Sequence, residues 1–568
     1  MRNIAHVLVF TTIFQSARAG FWQRGVAKAR SESFQASSFA GATTSAVFPP
    51  PGATDVGASI DSFFPTESEV GFAGPTPTGD EAEEIATATI APKISGDEFP
   101  LINPTTLNNK STKFEVLQKW GSLSPMFSVD SFGLPDASEL IPEGCELRQV
   151  HLVHRHGSRY PTSGSPPAAF ATKLHNATVA GTGFTASGDL SFLNTWTFKL
   201  GAELLTPFGR QQLFDLGTQF RIKYGDLLKS FTDIPVFRTT SEDRMVKSAL
   251  NFAAGFFGIP DYLTDYHQLI TIEEDGFNNT LATYDTCTNA NNDIGNFGSV
   301  QADKWAAIYL QDAVKRLGPQ MKGVNLTLSD VFGMQELCAY ETVALGYSDF
   351  CDIFTQEEWN GFEYWNDLSF WYGIGPGNPT SAAQGIGYVQ ELIARLTQTP
   401  ITQFNTTTNS TITNSNITFP LNQPIYVDAT HDVIISNIVV ALNFTSLAGN
   451  GPLPTDHIPK NQTWFTNQVS PFASRLVGQV LACPASSAAP THIRWILNDA
   501  VVPLTGVNGC KANKDGLCAL DTYISSMQEH IGQIDYAFDC LANYTIPDPD
   551  FIVNGRPPAS VKAQVLGN

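Results

Sequence analysis

The chain has 568 residues, with 33 Lys plus Arg against 54 Asp plus Glu and a formal net charge of −21. Its 42% hydrophobic and 11% aromatic content is enough for a large core, and its length allows two or more average domains or one large α/β unit. The acidic balance argues against nucleic acid as a partner, because phosphate backbones are bound by surplus positive charge.

The first residues read as an address. Arg2 supplies a positive start, IAHVLVFTTIF an apolar core, and ARA before Gly20 a small-residue cleavage site. This predicts a signal peptide over residues 1–19 and a secreted chain, extracellular or in the cell wall. The apolar run is shorter than the roughly 20 residues that span a bilayer, so no stable membrane insertion is expected. Residues 20–110 are rich in Ser, Thr, Pro and Ala, as in SSFAGATTSAVFPPPGATD, and lack apolar periodicity. Such a segment buries too little surface to offset its ordering entropy and is expected to be disordered.

Order is expected from near Phe114, within a catalytic region placed at 111–560. ELRQVHLVHRH mixes β-branched and polar residues and reads as a strand ended by Gly157. LTPFGRQQLFDLGTQFRIKYG opens with Thr206 at an N-cap and Pro207 at the first helical position. IPVFRTT reads as a strand, and SEDRMVKSALNFAAGFFG as a helix capped by Ser241 and ended near Gly255 or Gly258. From roughly 260 to 400 helical patterns such as KWAAIYLQDAVKRL and GIGYVQELIARLTQT dominate, with few convincing strands. NTTTNSTITNSNIT reads as a polar loop. PIYVDATHDVIISNIVVALNF gives a strand, a turn at Thr430–His431 and an apolar helix, and HIRWILNDAVVPL is strand-like. Strands alternating with helices at both ends predict an α/β domain carrying a smaller, mainly helical insertion at roughly 260–400.

Eight cysteines, with no CxxC pair and no Cys/His metal spacing, read as four disulfides in a secreted chain. Asn-x-Ser/Thr sequons begin at Asn109, Asn176, Asn278, Asn325, Asn405, Asn409, Asn416, Asn443, Asn461 and Asn543, and agree with that route.

Three places share one form, a strand end followed by polar residues where a helix begins: HRHGSR, TTSEDR and DATHD. In open α/β sheets ligands bind at the C-terminal ends of the strands, where helix N-termini offer N–H donors to anions. The arginines there are forked donors that match phosphate oxygens.

RHGSRYP resembles the RHGxRxP signature of the histidine acid phosphatases, and HD at 431–432 resembles their second signature. LQKWGSLSPMF, LTPFG and SEDRMVKSALNFAAGF are similar to landmarks of the secreted fungal phytase-like branch, over roughly 114 to 550. The resemblance implies a three-layer, phosphoglycerate-mutase-like α/β fold with the helical insertion domain. It implies His156 as the nucleophile that becomes a phosphohistidine, and Asp432 as the acid that protonates the leaving oxygen. Arg155, Arg159, Arg244 and His431 hold the phosphoryl oxygens on the same ground. Arg238 competes with Arg244 for the third arginine; the SxxR-to-helix context favours Arg244. His151 and His154 are assigned to structure, and the Phe252, Phe256, Phe257 stripe to the core. No cofactor and no metal is expected. The resemblance also implies the disulfides Cys145–Cys483, Cys287–Cys540, Cys338–Cys351 and Cys510–Cys518.

Two departures bear on substrate. Phytases of this branch often carry lysines after the signature, whereas TSGSPPAAFAT is neutral until Lys173; they commonly have Asn after HD, where this chain has Val433. Less positive charge favours a multiply charged substrate less. The expectation is an acid phosphatase on small phosphomonoesters that accepts myo-inositol hexakisphosphate, with a dedicated phytase as the alternative. A mutase-like phosphotransferase ranks lower, because it calls for a cytosolic chain without a leader or a disulfide set. A non-catalytic binding protein calls for a broken nucleophile or acid, and neither is broken.

Overall fold

A computed structural model describes residues 115–181, 183–548 and 550–567. The expected signal peptide, the Ser/Thr/Pro/Ala-rich segment and the sequon at Asn109 lie outside the described residues. ELRQVHLVHR forms β1 (Glu146–Arg155), near the middle of an eight-stranded sheet. Its side chains alternate between two cores: Val150 and Leu152 face one, Val153 the other. The other strands are β2 (Val236–Thr240), β3 (His267–Thr271), β4 (Ile425–Thr430), β5 (Arg475–Ala482), β6 (His492–Leu497), β7 (Ala500–Val502) and β8 (Cys518–Ala519). The order is β8-β6-β5-β1-β4-β2-β3, with β7 hairpinned onto β6. The β1–β4, β4–β2 and β2–β3 pairs are parallel; β1–β5, β5–β6 and β6–β8 are antiparallel.

The longer helices are α1 (Pro166–Val179), α2 (Pro207–Tyr224), α3 (Asp243–Phe257), α4 (Phe297–Tyr309), α5 (Leu328–Leu345), α6 (Gln356–Gly373), α7 (Ser381–Thr397), α8 (Asp432–Ala441) and α9 (Leu520–Gln533). On one sheet face Leu213, Phe220, Phe252 and Phe256 of α2 and α3 pack against Leu152, Phe237 and Val427. On the other, Ile386, Ile438 and Tyr523 of α7, α8 and α9 pack with Val153, Leu476 and Trp495. The result is the expected three-layer α/β arrangement. A further core of Phe170, Leu174, Val331, Leu337, Trp359 and Phe362 joins α1, α5 and α6 into a helical layer. Thr327 and Thr355 start α5 and α6 with reciprocal capping boxes to Asp330 and Glu358.

Thr206 caps α2 as expected, its hydroxyl accepting from Gly209 N at 3.0 Å. Ser241 does not cap α3. The N-cap is Glu242, in extended conformation, and the Ser241 hydroxyl accepts instead from Glu273 N at 3.0 Å, tying the β2 exit to the β3 exit. Gly258, at φ 91°, ends that helix, while Gly255 lies inside it. Three elements escape the sequence pattern. β3 lies in the stretch expected to be poor in strands, β5 was not anticipated, and HIRWILNDAVVPL is a hairpin that turns at Asn498 and Asp499, both at positive φ. The disulfides are Cys145–Cys483, Cys287–Cys540, Cys338–Cys351 and Cys510–Cys518, the pairs the resemblance implies.

Candidate active site

The parallel register of β1 and β4 sets Arg155 opposite Thr430. The next residue, His156, donates its backbone N–H to the Thr430 carbonyl at 3.2 Å. Residues that follow the two strands therefore meet, and the His156 and His431 rings lie 5.7 Å apart. The turn after β1 is seated by two glycines. A Cβ on Gly157 would lie 2.1 Å from the Gly209 carbonyl oxygen, and one on Gly209 would lie 1.9 Å from that of Ser158. Only glycine at both places lets the signature turn rest on the start of α2.

His156 is 1% exposed. Its Nδ1–H donates to the Gly157 carbonyl at 2.8 Å, which leaves the lone pair on Nε2. Burial and the positive charges of Arg155, Arg244 and Arg159 hold its pKa well below the ordinary histidine value, which favours the neutral imidazole.

Arg155 is fully buried. It donates to the carbonyls of Ser122 and Ser470, the latter at 2.9 Å, contacts Asp432 Oδ2 through Nη2 at 2.7 Å, and lies 4.4 Å over the Phe472 ring. Burial pulls its pKa down to about 10, which still leaves it charged. Arg159 donates to the Tyr160 carbonyl at 2.8 Å, and Tyr340 and Glu203 act on its charge. Arg244, in the first turn of α3, places Nη1 3.1 Å from Glu203 Oε2 and Nη2 on the Glu242 carboxylate.

His431 is the N-cap residue of α8, its Nε2 3.1 Å from Glu273 Oε2 and 3.8 Å from Glu242 Oε2. His431 holds the Glu273 carboxyl low against the upward push of burial, and the Tyr284 hydroxyl donates to it. For Asp432, burial pushes the pKa up, but Arg155, Arg159 and His431 outweigh it, so the carboxyl sits below the usual aspartate value.

Arg238 is elsewhere. Its guanidinium is bound to Asp428 and Glu391, and Arg395 completes that buried cluster. His151 stacks on Tyr426 and His154 on Phe252, beneath the site. Lys173 is spent on Asp330 and on the Asn325 carbonyl. Sequence reading missed Ser122, Ser470 and Phe472, which fix Arg155, and Glu203, Glu242 and Glu273, which line the cationic groups. Ser122 and Glu242 lay inside quoted segments, WGSLSP and SEDR; the others carried no local signal. Among the described residues, Glu242, Glu273 and His431 offer ligand atoms within 4.8 Å of one another, and the Arg244 guanidinium already supplies a cation to Glu242. Three guanidiniums, a neutral imidazole and a carboxyl group brought together can hold a tetrahedral dianion beside a nucleophile and a proton source.

Residues 146–498 match the family described as Histidine phosphatase superfamily (branch 2). The chain is 34% identical over 436 residues to Phytase A of Aspergillus oryzae, covering 72% of this chain and 88% of that protein. To Phytase A of Emericella nidulans it is 35% identical over 426 residues, with 72% and 88% covered. The crystal structure of the phytase from D. castellii superposes with a TM-score of 0.61 at 25% identity, over 78% of this chain and 92% of that one. The multiple inositol polyphosphate phosphatase of Bifidobacterium longum, in complex with inositol hexasulfate, shares the fold at a TM-score of 0.51 and 14% identity, over 73% of this chain and 98% of that one.

Proposed function

This chain belongs to the histidine phosphatase superfamily (branch 2) and is a phosphoric monoester hydrolase of the histidine acid phosphatase type, and from that premise we propose that it is a secreted phytase. The relatives favour this over a broad phosphomonoesterase, since proteins named Phytase A from Aspergillus oryzae, Emericella nidulans and Neurospora crassa are 30–35% identical to it. Export is supported by the four disulfides, which persist in oxidising compartments. Among the described residues no helix is long and apolar enough to cross a membrane.

In the proposed reaction the Nε2 lone pair of His156 attacks phosphorus, and the bond to the leaving oxygen breaks as Asp432 gives that oxygen its proton. Arg155, Arg159, Arg244 and His431 spread the charge of the transferring group over their donors. Water then attacks the phosphohistidine and returns a proton to Asp432; phosphate leaves, and His156 is neutral again. Before substrate binds, Asp432 is ion-paired with Arg155 and held as the carboxylate. An arriving phosphoryl group takes over that arginine, and its own negative charge pushes Asp432 back towards the acid form. Substrate thereby arms the acid that it needs.

The observation that carries the reading is the β1–β4 register, which brings the neutral His156 ring beside His431 and puts Arg155 on Asp432. The test is acid-pH turnover of a phosphate-ester panel, including myo-inositol hexakisphosphate, by the natural chain beside His156→Ala and Asp432→Asn. His156→Ala is expected to be inactive. Asp432→Asn is expected to lose on the order of 10²–10⁴ in rate on alkyl esters, and less on p-nitrophenyl phosphate, whose leaving group needs no proton. Phosphatase activity retained by His156→Ala overturns the reading.

A further inference from the structure

Resting on that reading and deepening it, we propose that Glu203 and Glu242 are specificity-determining residues that set how strongly the site admits a ligand carrying several anionic groups. Arg244 is held on both sides. One Nη lies 3.1 Å from Glu203 and the other is bound by Glu242. Neither carboxylate is a loose surface acid. Glu203 stands at a left-handed backbone position, φ 66°, and its Oε1 accepts from Ser163 N at 3.1 Å, just beyond the signature turn. Glu242 occupies the extended N-cap of α3, which directs its carboxylate between Arg244 and His431.

The charges facing this pair come from every element around it. Arg159 follows β1, with Tyr340 of α5 acting on it together with Glu203 and Glu242. Glu273, Tyr284 and Asp285 follow β3; burial and the neighbouring carboxylates Glu273, Asp275 and Glu242 push Asp285 up to about 7. His431 and Asp432 follow β4. Lys247 of α3 is tied to Asp243. Three guanidiniums are thus opposed by the carboxylates of Asp432, Glu203, Glu242 and Glu273. One phosphoryl group satisfies the cations by replacing these partners. Further anionic groups on the same ligand then meet Glu203 and Glu242 as like charges, while Lys173 is bound to Asp330 and Lys247 to Asp243.

Removing one such charge about 8 Å from an anionic group, at an effective dielectric constant near 40, is worth roughly a factor of five in affinity. The test measures inhibition of p-nitrophenyl phosphate hydrolysis by the full chain at low ionic strength. The probes are myo-inositol hexasulfate, whose charge does not titrate, and inorganic phosphate. Glu242→Gln is expected to lower the inhibition constant of hexasulfate about three- to tenfold and that of phosphate by a clearly smaller factor, since only the first anionic group is common to both. Glu203→Gln should act in the same direction, and Glu242→Asp, which keeps the charge, should stay near the natural chain. Raising salt to about 0.5 M should erase most of the difference, as screening requires. Thermal melting confirms that each variant is folded, and Glu203→Gln and Glu242→Gln test the proposal independently. Inhibition constants that fall equally for both probes, stay unchanged, or rise for hexasulfate overturn it. An inactive His156→Ala with unchanged probe selectivity in the glutamine variants sinks this inference alone; turnover by His156→Ala sinks the reading beneath it.

Discussion

Gly209 carries no reacting atom, yet it fixes where the proposed catalytic turn can lie. A Cβ there would lie 1.9 Å from the Ser158 carbonyl oxygen and 2.8 Å from Ser158 N. Ordinary contact is about 3.5 Å, so Gly209→Ala demands a backbone shift of roughly 1.5 Å, and no flexible side-chain tip is present to absorb it. The segment that must move is His156 to Arg159. Overpacking of this kind costs about 1–3 kcal/mol, a drop of a few degrees in Tm for a chain of this size. Misplacing reacting groups by about 1 Å costs on the order of 100-fold in rate. The assay is kcat/KM on an aryl phosphate beside a thermal melt, with Gly532→Ala as control, where a Cβ meets nothing within 4 Å. Gly209→Ala is expected to lose about 100-fold in kcat/KM while Gly532→Ala loses nothing. A Gly209→Ala enzyme with natural kcat/KM and Tm would refute the claim that the two glycines seat the catalytic turn.

Two further outcomes separate structure from chemistry. Arg238→Met leaves Asp428 and Glu391 buried with Arg395 alone and is expected to cost about 3–5 kcal/mol in denaturant unfolding. Its folded fraction should keep the natural KM, whereas Arg244→Met should raise KM with little change in stability. The buried carboxyls should also tie stability to pH. Burial raises the Glu341 carboxyl to about 7, against Ser348 and Trp196, which donate to it, and burial raises Asp367 likewise. Folded values above unfolded ones near 4 give stability that is full below about pH 4 and lost as pH rises through 7. Across that window Glu341→Gln is therefore expected to gain Tm relative to the natural chain, while the buried His151 and His154, held neutral, act equally on both; a Tm difference that stays constant from pH 4 to 7 contradicts the assignment.

Much of the fold was legible because local rules and tertiary demands agree. Thr206-Pro207 starts α2, one of the two glycines expected near the end of α3, Gly258, stops it, and the mix of β-branched and polar residues in ELRQVHLVHR forms the expected strand. Where they compete, the reading failed. Ser241 has the right type for a cap, but the β3 exit claims its hydroxyl. RLVGQVLA forms β5 because β1 and β6 flank it; β6 follows it directly, but β1 lies far earlier in the chain. Arg238 and Arg244 could be ranked only by context, and the buried partners Asp428 and Glu391 separate them.

Residue types alone specify which groups can do chemistry here: an imidazole between two arginines, a distant His-Asp pair, and too few lysines near either. Side-chain chemistry is local, and a motif carries it wherever the chain goes. Charge state and selectivity are properties of neighbours. The proton kept off His156 and the grip of Arg155 on the Asp432 carboxylate come from β1 and β4 converging, and Arg244 is held both by its near neighbour Glu242 and by Glu203 from ahead of α2. Electrostatic energy depends on distance and burial, and those quantities exist only once the strands have paired.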